Sequence, residues 1–388
     1  MTKSGKINAQ PGVLLVATAS YAGMGPYVVK IVNEVLSASR EADSHVWAYA
    51  LLVDDVDCYY QRNIDDANRG QTTIITYANS KLHKLRLLVA PPRCVTHALR
   101  RLCRTKHIDT VHFLSGDALY LPLIKECTRQ YKTFLTVHDA AAHDAAKSWY
   151  KMLRQEILYR KFYRAIDVTP HLITNSRTQQ DYLSARYPSK SVRFHSFPTL
   201  VTPRISTGIL QPPELQGITN YILFFGRIEK YKGVDLLCEA FRMSAKLRDN
   251  YRLVIAGTGE LPATAHENGI ITINRYIADE EVAALMRGAA CVVFPYISAT
   301  QSGVLSLSCY FRRPTVVSDI PFFMEHVARA PIALTFSSGS VEGLVRALIK
   351  VLQSPSREMI DAQESYYDTH YRDGQTATSL MSIYTDEL

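Results

Sequence analysis

Residues 221–233 read YILFFGRIEKYKG. The first five are apolar or aromatic, the length and composition of a buried strand. Gly226 ends the run. Arg227 and Lys232 follow in the loop, and Gly233 opens a helical pattern of Val234, Leu237, Cys238 and Phe241. Two cations at the mouth of a strand–loop–helix unit suit a diphosphate: Arg forks onto two phosphate oxygens and Lys acts as a mobile point charge. Any βα loop can carry surface Arg and Lys, so the rest of the chain has to decide.

Downstream, residues 251–256 (YRLVIA) predict a second strand ending in Gly257-Thr258-Gly259-Glu260. Residues 270–273 predict a third, followed by Asn274-Arg275-Tyr276-Ile277. Ala278-Asp279-Glu280-Glu281 reads as a helix start, with acids in the first turn and Val282, Leu285 and Met286 on one face. Residues 291–295 (CVVFP) and 314–318 (PTVVS) are further strands. Between them Thr300-Gln301-Ser302-Gly303 leads into an apolar helix beginning at Val304. Strands alternating with helices imply a parallel, doubly wound sheet, in which ligands bind at the carboxyl ends of the strands. Arg227, Lys232, Gly257, Gly259, Ser302 and Gly303 all fall just after predicted strands.

The pieces FFGRIEKYKG, LVIAGTGEL, NRYIADEEVAALMRGAACVVFPY, TQSGV and RRPTVVSD resemble the nucleotide-binding half of GT-B glycosyltransferases, specifically retaining glycosyltransferase family 4. The likeness is close over residues 221–319 and weaker before them. It implies an α/β chain of GT-B architecture, with two Rossmann-like doubly wound domains facing a cleft that holds a nucleotide-sugar donor. It further implies that Arg227, Lys232, Ser302, Gly303 and Val304 bind the donor diphosphate. The nucleoside would lie against Gly257 and the backbone of Arg275, Tyr276 and Ile277.

The chain has 388 residues, enough for two domains of ordinary size. The expected domains are residues 1–202 and 218–371, with a Pro-rich linker at 203–217. A last helix at 372–388 is expected to return to the first domain, as the family resemblance implies. No apolar run is long enough to span a membrane, and MTKSGKINAQPG lacks the apolar core of a signal peptide. Seven scattered cysteines with no CxxC pair suggest neither a disulfide frame nor a zinc site and fit a reducing cytosol.

Charge is divided unevenly. Residues 1–200 hold 27 Lys and Arg against 16 Asp and Glu, a net +11, leaving −3 for residues 201–388. Residues 81–107 carry eight Lys or Arg and no acid, mixed with leucines. Residues 147–164 place Lys151, Arg154, Arg160 and Lys161 beside Trp149, Tyr150 and Phe162. Cations interleaved with aromatic and aliphatic groups suit an anionic membrane surface, met peripherally from the cytoplasmic side. Amphipathic helices with solvated basic faces would show the same pattern. A nucleic-acid partner is disfavoured, because no module for one is recognisable.

In the first half, residues 13–18 (VLLVAT) predict the opening strand, followed by Gly23 and Gly25, which let a backbone approach a ligand. Residues 46–53, 86–90, 110–114 and 172–176 are further expected strands, the last ending in Asn175-Ser176. Residues 133–137 (TFLTV) end in His138, with His143 beyond. This VHD-x-x-x-H run is similar to that of family 4 members that build bacterial surface polysaccharides. That likeness implies His138 at the donor sugar or reacting centre as the catalytic candidate and His143 toward the acceptor, a lipid-linked saccharide of O-antigen or capsule type. The loop corresponding to Gly23 and Gly25 in family 4 faces the cleft near the diphosphate and acceptor, and Asn175 is expected at the cleft end of its strand.

Transfer from a nucleotide sugar passes through an oxocarbenium-like state as diphosphate leaves, and fixed positive charge must meet the growing negative charge. Arg227, Lys232 and helix-opening N–H groups at 302–304 would do so, so no metal and no cofactor is expected; no DxD motif stands at a strand end. The family resemblance implies retention of configuration. One departure stands out. Many family members carry an E-x7-E pair here, yet residues 295–318 contain no Asp or Glu. Ser298, Thr300, Gln301 or Ser306 would have to replace those contacts. Two other readings are a non-catalytic sugar-nucleotide-binding scaffold and, within the same fold, a nonhydrolysing epimerase. The basic, aromatic first half argues against the epimerase.

Overall fold

The computed structural model describes residues 12–17, 24–41, 43–54, 58–76, 92–115, 120–138, 149–299, 302–354, 356–372 and 374–386, with the backbone alone for 149–155. The chain divides into two compact units, Met1–Pro198 together with Asp373–Leu388, and Thr199–Arg372.

The first unit is built on seven parallel strands, β1 (Gly12–Ala17), β2 (Trp47–Asp54), β3 (Thr72–Thr76), β4 (Ile108–Phe113), β5 (Lys132–Val137), β6 (His171–Thr174) and β7 (Ser191–Phe194). Their order is β3-β2-β1-β4-β5-β6-β7. Strand β1 is buried along its whole length, as a central strand covered on both faces must be. Successive side chains point to opposite faces, and the two cores follow from that alternation. Val13, Leu15 and Ala17 pack with Val28, Ile31, Val32 and Val35 of the helix Met24–Ser39. Leu14 and Val16 enter the other core with Val95 and Leu99 of the helix Arg93–Thr105 and Ile124 of the helix Leu121–Gln130.

The chain's last helix, Gln375–Asp386, belongs to this unit. Ala377, Leu380 and Tyr384, spaced for one helical face, are buried in the same core as the helix Met24–Ser39.

The second unit carries six parallel strands, β8 (Tyr221–Phe225), β9 (Leu253–Ala256), β10 (Ile270–Ile273), β11 (Ala289–Phe294), β12 (Thr315–Ser318) and β13 (Leu334–Phe336). The order is β10-β9-β8-β11-β12-β13. In both sheets the direction of winding reverses beside the first strand, between β1 and β4 and between β8 and β11. Such a switch point leaves a crevice at the carboxyl ends of the two strands.

Residues 203–217 are docked rather than a free linker. Thr202 caps a short helix, Pro203–Thr207, by accepting from the Ile205 N–H at 3.2 Å, and Ile205 and Leu215 are buried. Leu210 N–H donates to Glu280 O at 3.1 Å, fixing the segment on the helix Asp279–Gly288. Pro203 and Pro213 open short helices in this segment, and Ile205 and Leu215 are buried in the core of the second unit.

Candidate functional site

The loop after β8 folds against the end of β11 at the switch point. Gly233 takes the left-handed region at φ 65°, and a Cβ there would sit 2.0 Å from the Pro295 carbonyl oxygen. Only glycine permits that approach. Ile297 N–H donates to Tyr231 O at 2.7 Å and joins the two loops. Gly257 is constrained in the same way: at φ 142° its backbone lies on Gly226, whose oxygen would be 1.9 Å from an added Cβ. Backbone bonds Gly226 N to Ala256 O (3.0 Å) and Ile228 N to Thr258 O (2.8 Å) continue the β8–β9 pairing into the loops.

Lys232 turns back over this glycine-paved floor. Its Nζ lies 3.4 Å from the position a Gly226 Cβ would take, with a Val304 methyl carbon 3.8 Å from the same point. The ammonium also sits 5.4 Å from the Tyr296 ring centre and 5.9 Å from that of Tyr231. Tyr296 OH lies 3.5 Å from Ser302 Oγ. The structure thus brings together Lys232, Gly226, Ser302 and the start of the helix Val304–Tyr310. Residues 302–304 precede that helix's first hydrogen bonds, which run from Leu305 N to Ser302 O and from Ser306 N to Gly303 O. Among the described residues no carboxylate pairs with Lys232. Arg227 differs: it is half-exposed and its guanidinium pairs with Glu229.

Arg275 is committed elsewhere. It forks onto Glu214 (2.9 and 2.9 Å) and onto Glu281 (2.8 and 2.8 Å). Those hydrogen bonds hold both carboxyls below their usual range and raise the guanidinium further. Glu281 also accepts from Ala278 N–H at 2.9 Å, closing the start of the helix Asp279–Gly288. The side chain is therefore a brace between Glu214 and the start of that helix. Ile277 is buried in the core, whereas Tyr276 is 62% exposed. Arg275→Ala is expected to lower stability by about 1–2 kcal/mol, the cost of losing four charged hydrogen bonds in a cluster that solvent partly screens. Urea unfolding checks it; Arg275→Lys should recover only part, because Lys cannot fork.

Ser306 drops out as a replacement for the absent acids. It is fully buried, donating to Gly303 O (2.6 Å) and accepting from Leu200 N–H (3.0 Å), and Leu307 is core. Ser298 is half-buried beside exposed Ile297 and keeps its place as a candidate; Thr300 and Gln301 lie outside the described residues.

In the first unit His138 follows β5. Its Nε2 lies 2.9 Å from Leu114 O, and since a carbonyl only accepts, Nε2 carries the hydrogen and Nδ1 the lone pair in the neutral ring. Tyr27 packs edge-on to it at 4.7 Å. Asn175 Nδ2 donates to His195 O at 2.9 Å. Gly25 is buried in the first turn of its helix. Gly23 and His143 lie outside the described residues.

Two further histidines escaped the sequence reading. His112, on β4, is fully buried between Tyr384 OH (2.6 Å) and Thr136 Oγ1 (2.8 Å). His195, just past β7, is fully buried, with neither ring nitrogen bonded to protein among the described residues. Burial, reinforced by their neighbours His195 and His138, pushes His112 down to about 3; burial and His138 push His195 down to about 3. The available signal for His195 was its position after a strand, and β7 itself had not been expected. Among the described residues no His, Cys, Asp or Glu cluster is placed to hold a metal ion.

On the basic helix Trp149–Val168, Arg160 is exposed and pairs with Glu156 at 2.7 Å, and Ile157 is 41% exposed. The side chains of Trp149, Lys151 and Arg154 lie outside the described residues, and Lys161 is half-buried. On the helix Arg93–Thr105 Arg100 forks onto Glu126 at 2.6 and 2.9 Å, so part of that basic face is neutralised within the unit. Among the described residues no helix is long and apolar enough to cross a membrane.

Residues 209–366 match the family Glycosyl transferases group 1. No curated protein matches the chain in sequence. Among solved structures, HepE of Anabaena in complex with UDP-glucose aligns with a TM-score of 0.68 at 12% identity, covering 97% of this chain and 100% of its own. Sucrose-phosphate synthase from Thermosynechococcus elongatus aligns with a TM-score of 0.66 at 12% identity, covering 97% and 99%. WaaG, a glycosyltransferase involved in lipopolysaccharide biosynthesis, aligns with a TM-score of 0.61 at 15% identity, covering 96% and 99%. The chain therefore has the GT-B fold of two Rossmann-like domains, and its residues 209–366 are similar to the group 1 glycosyl transferases.

Proposed function

We propose that this protein is a retaining, metal-independent glycosyltransferase of family 4. It moves a sugar from a nucleotide-diphosphate donor, UDP-sugar favoured over GDP-sugar, to a lipid-linked saccharide of a bacterial surface glycan. The observation that carries this reading is the Lys232 ammonium, with no carboxylate partner among the described residues, lying over Gly226 beside Val304 at the switch point of a domain similar to the group 1 glycosyl transferases. There it would meet the charge that grows on the departing diphosphate, with the N–H groups of 302–304 beside it. Arg227 would exchange Glu229 for a phosphate. His138 would lie by the transferred sugar at the reacting centre. The solved structures of HepE with UDP-glucose and with UDP support the donor class. WaaG and WaaB, the latter a lipopolysaccharide outer core galactosyltransferase, support the kind of acceptor. The basic helix Trp149–Val168 would bring the enzyme to the inner face of the membrane, where such an acceptor lies.

A panel of UDP- and GDP-sugars with lipid-linked acceptors, read by product mass and anomeric configuration, tests the reading. One donor should be consumed in the presence of EDTA, and an inverted product would refute retention. The scaffold reading retains one specific support: residues 295–318 lack any acid and Ser306 is spoken for. A scaffold would bind the nucleotide and show no transfer with any acceptor.

A further inference from the structure

The amino ends of β8, β11 and β12, at the opposite end of the sheet from the Lys232 loop, frame an open basin of about 590 Å³. Three arginines line it. Arg287 ends the helix before β11, while Arg312 and Arg313 precede β12; Ile360 comes from the helix Arg357–His370. Arg312 holds the left-handed region at φ 50°, an uncommon conformation for a side-chain-bearing residue, in the turn that leads to β12.

The partners of these guanidiniums are telling. Arg312 pairs with Glu364 at 2.6 Å. Arg313 instead donates to main-chain oxygens, Nε to Phe311 O at 2.9 Å and Nη1 to Arg287 O at 3.3 Å. Arg287 reaches Ser206 O at 3.3 Å and lies 5.5 Å from the Phe311 ring centre. Carbonyls and a ring face orient a cation without neutralising it. Among the described residues neither Arg287 nor Arg313 has a carboxylate partner, so three cations face one anion. Arg313 is half-buried, and that burial alone pushes its guanidinium below the ordinary value. A desolvated cation without a counter-charge is costly, and an anion relieves it.

We propose that this basin is a binding site for a phosphate group, separate from the Lys232 loop. The two uncompensated charges match a phosphate monoester, which carries about −1.5 to −2 near neutral pH. Arginine forks fit its oxygens in pairs. The group is either that of a soluble phosphate ester or that of a lipid headgroup. The site stands independently of the sugar-transfer reading.

The test uses the full chain carrying Lys232→Met, which removes the other phosphate-binding candidate. Inorganic phosphate is titrated by calorimetry, and vesicles of phosphatidylcholine with and without phosphatidate are co-sedimented. Both are repeated with Arg287→Gln and Arg312→Gly added. Arg287 is exposed, and glycine suits the left-handed backbone at 312, so the fold should persist; unchanged urea unfolding verifies it. Phosphate binding that weakens at least tenfold on the double substitution assigns a soluble ligand. Loss of phosphatidate-dependent sedimentation without such a change assigns a headgroup. If neither responds to the double substitution, the basin is not a phosphate site. The single variant Arg313→Lys, which loses the fork but keeps the charge, should weaken binding less than the double.

Discussion

Replacing Lys232 by Met is expected to lower the maximal transfer rate by about 10²–10³-fold, the cost of removing one fixed stabiliser of transition-state charge. The effect should fall on kcat more than on KM, because the interaction strengthens as the diphosphate departs. Stability should change little. Lys232 sits within about 6 Å of two tyrosine rings, and such cation–π contacts contribute about 0.5–1 kcal/mol at exposed sites. Methionine keeps the apolar stem. Arg227→Met should cost less than Lys232→Met, because its charge is already met by Glu229 and binding a phosphate requires giving that pair up. Steady-state kinetics of both variants, with melting temperatures measured alongside, check this. A larger loss at Arg227 than at Lys232 would mean that the roles are reversed.

The second large effect is loss of stability in acid. In the unfolded chain a histidine takes up its proton near 6.5, but folded His112 and His195 do so only at about 3. Between those values the unfolded state binds more protons, so stability falls as pH falls through the window from 6.5 toward 3. Each histidine contributes a slope of about 1.4 kcal/mol per pH unit, about 2.7 for the pair. From pH 6.5 to 4.5 the loss reaches about 5 kcal/mol, comparable with the whole stability of an ordinary domain. The groups around them are Tyr384, Thr136 and His138, and among the described residues neither histidine is bonded to a carboxylate that would hold a proton. Urea unfolding between pH 7.5 and 4.5 should therefore show the first unit failing before the second, and His195→Asn should roughly halve the slope. A flat profile over that range would contradict it.

The sequence was most legible where burial is complete. Residues 221–225 form a strand with the predicted bounds, because a continuous apolar run ended by glycine leaves few alternatives; residues 270–273 also do so, although that strand lies at the sheet edge and is mostly only partly buried. Strands β3, β7 and β13 were not foreseen. They are short, lie at or beside sheet edges and are half-exposed, so TTIIT, SVRF and LTF carry no sustained pattern. Arg227 and Lys232 fell where a strand-end reading puts them, but only coordinates distinguish the cation paired with Glu229 from the one over Gly226. The backbone of Arg275 was read as lying against a nucleoside, while the bracing role of its side chain was not foreseen, because its partners Glu214 and Glu281 lie 61 and 6 residues away. Periodicity carries no information about such pairs. Likewise nothing local to Ser306 revealed that Leu200 would take its oxygen.

The most direct measurement is calorimetric titration of the protein with UDP, GDP, ADP and CMP in EDTA, for the natural chain and for Lys232→Met. A ligand that binds only the folded state also raises stability, by about 2.7 kcal/mol at a hundred times its Kd, so thermal unfolding supplies an independent reading. We expect one nucleoside diphosphate, UDP first, to bind without metal, and Lys232→Met to weaken it at least tenfold. Binding that is indifferent to Lys232, or no binding by any of the four, would contradict the assignment of this loop to a donor diphosphate.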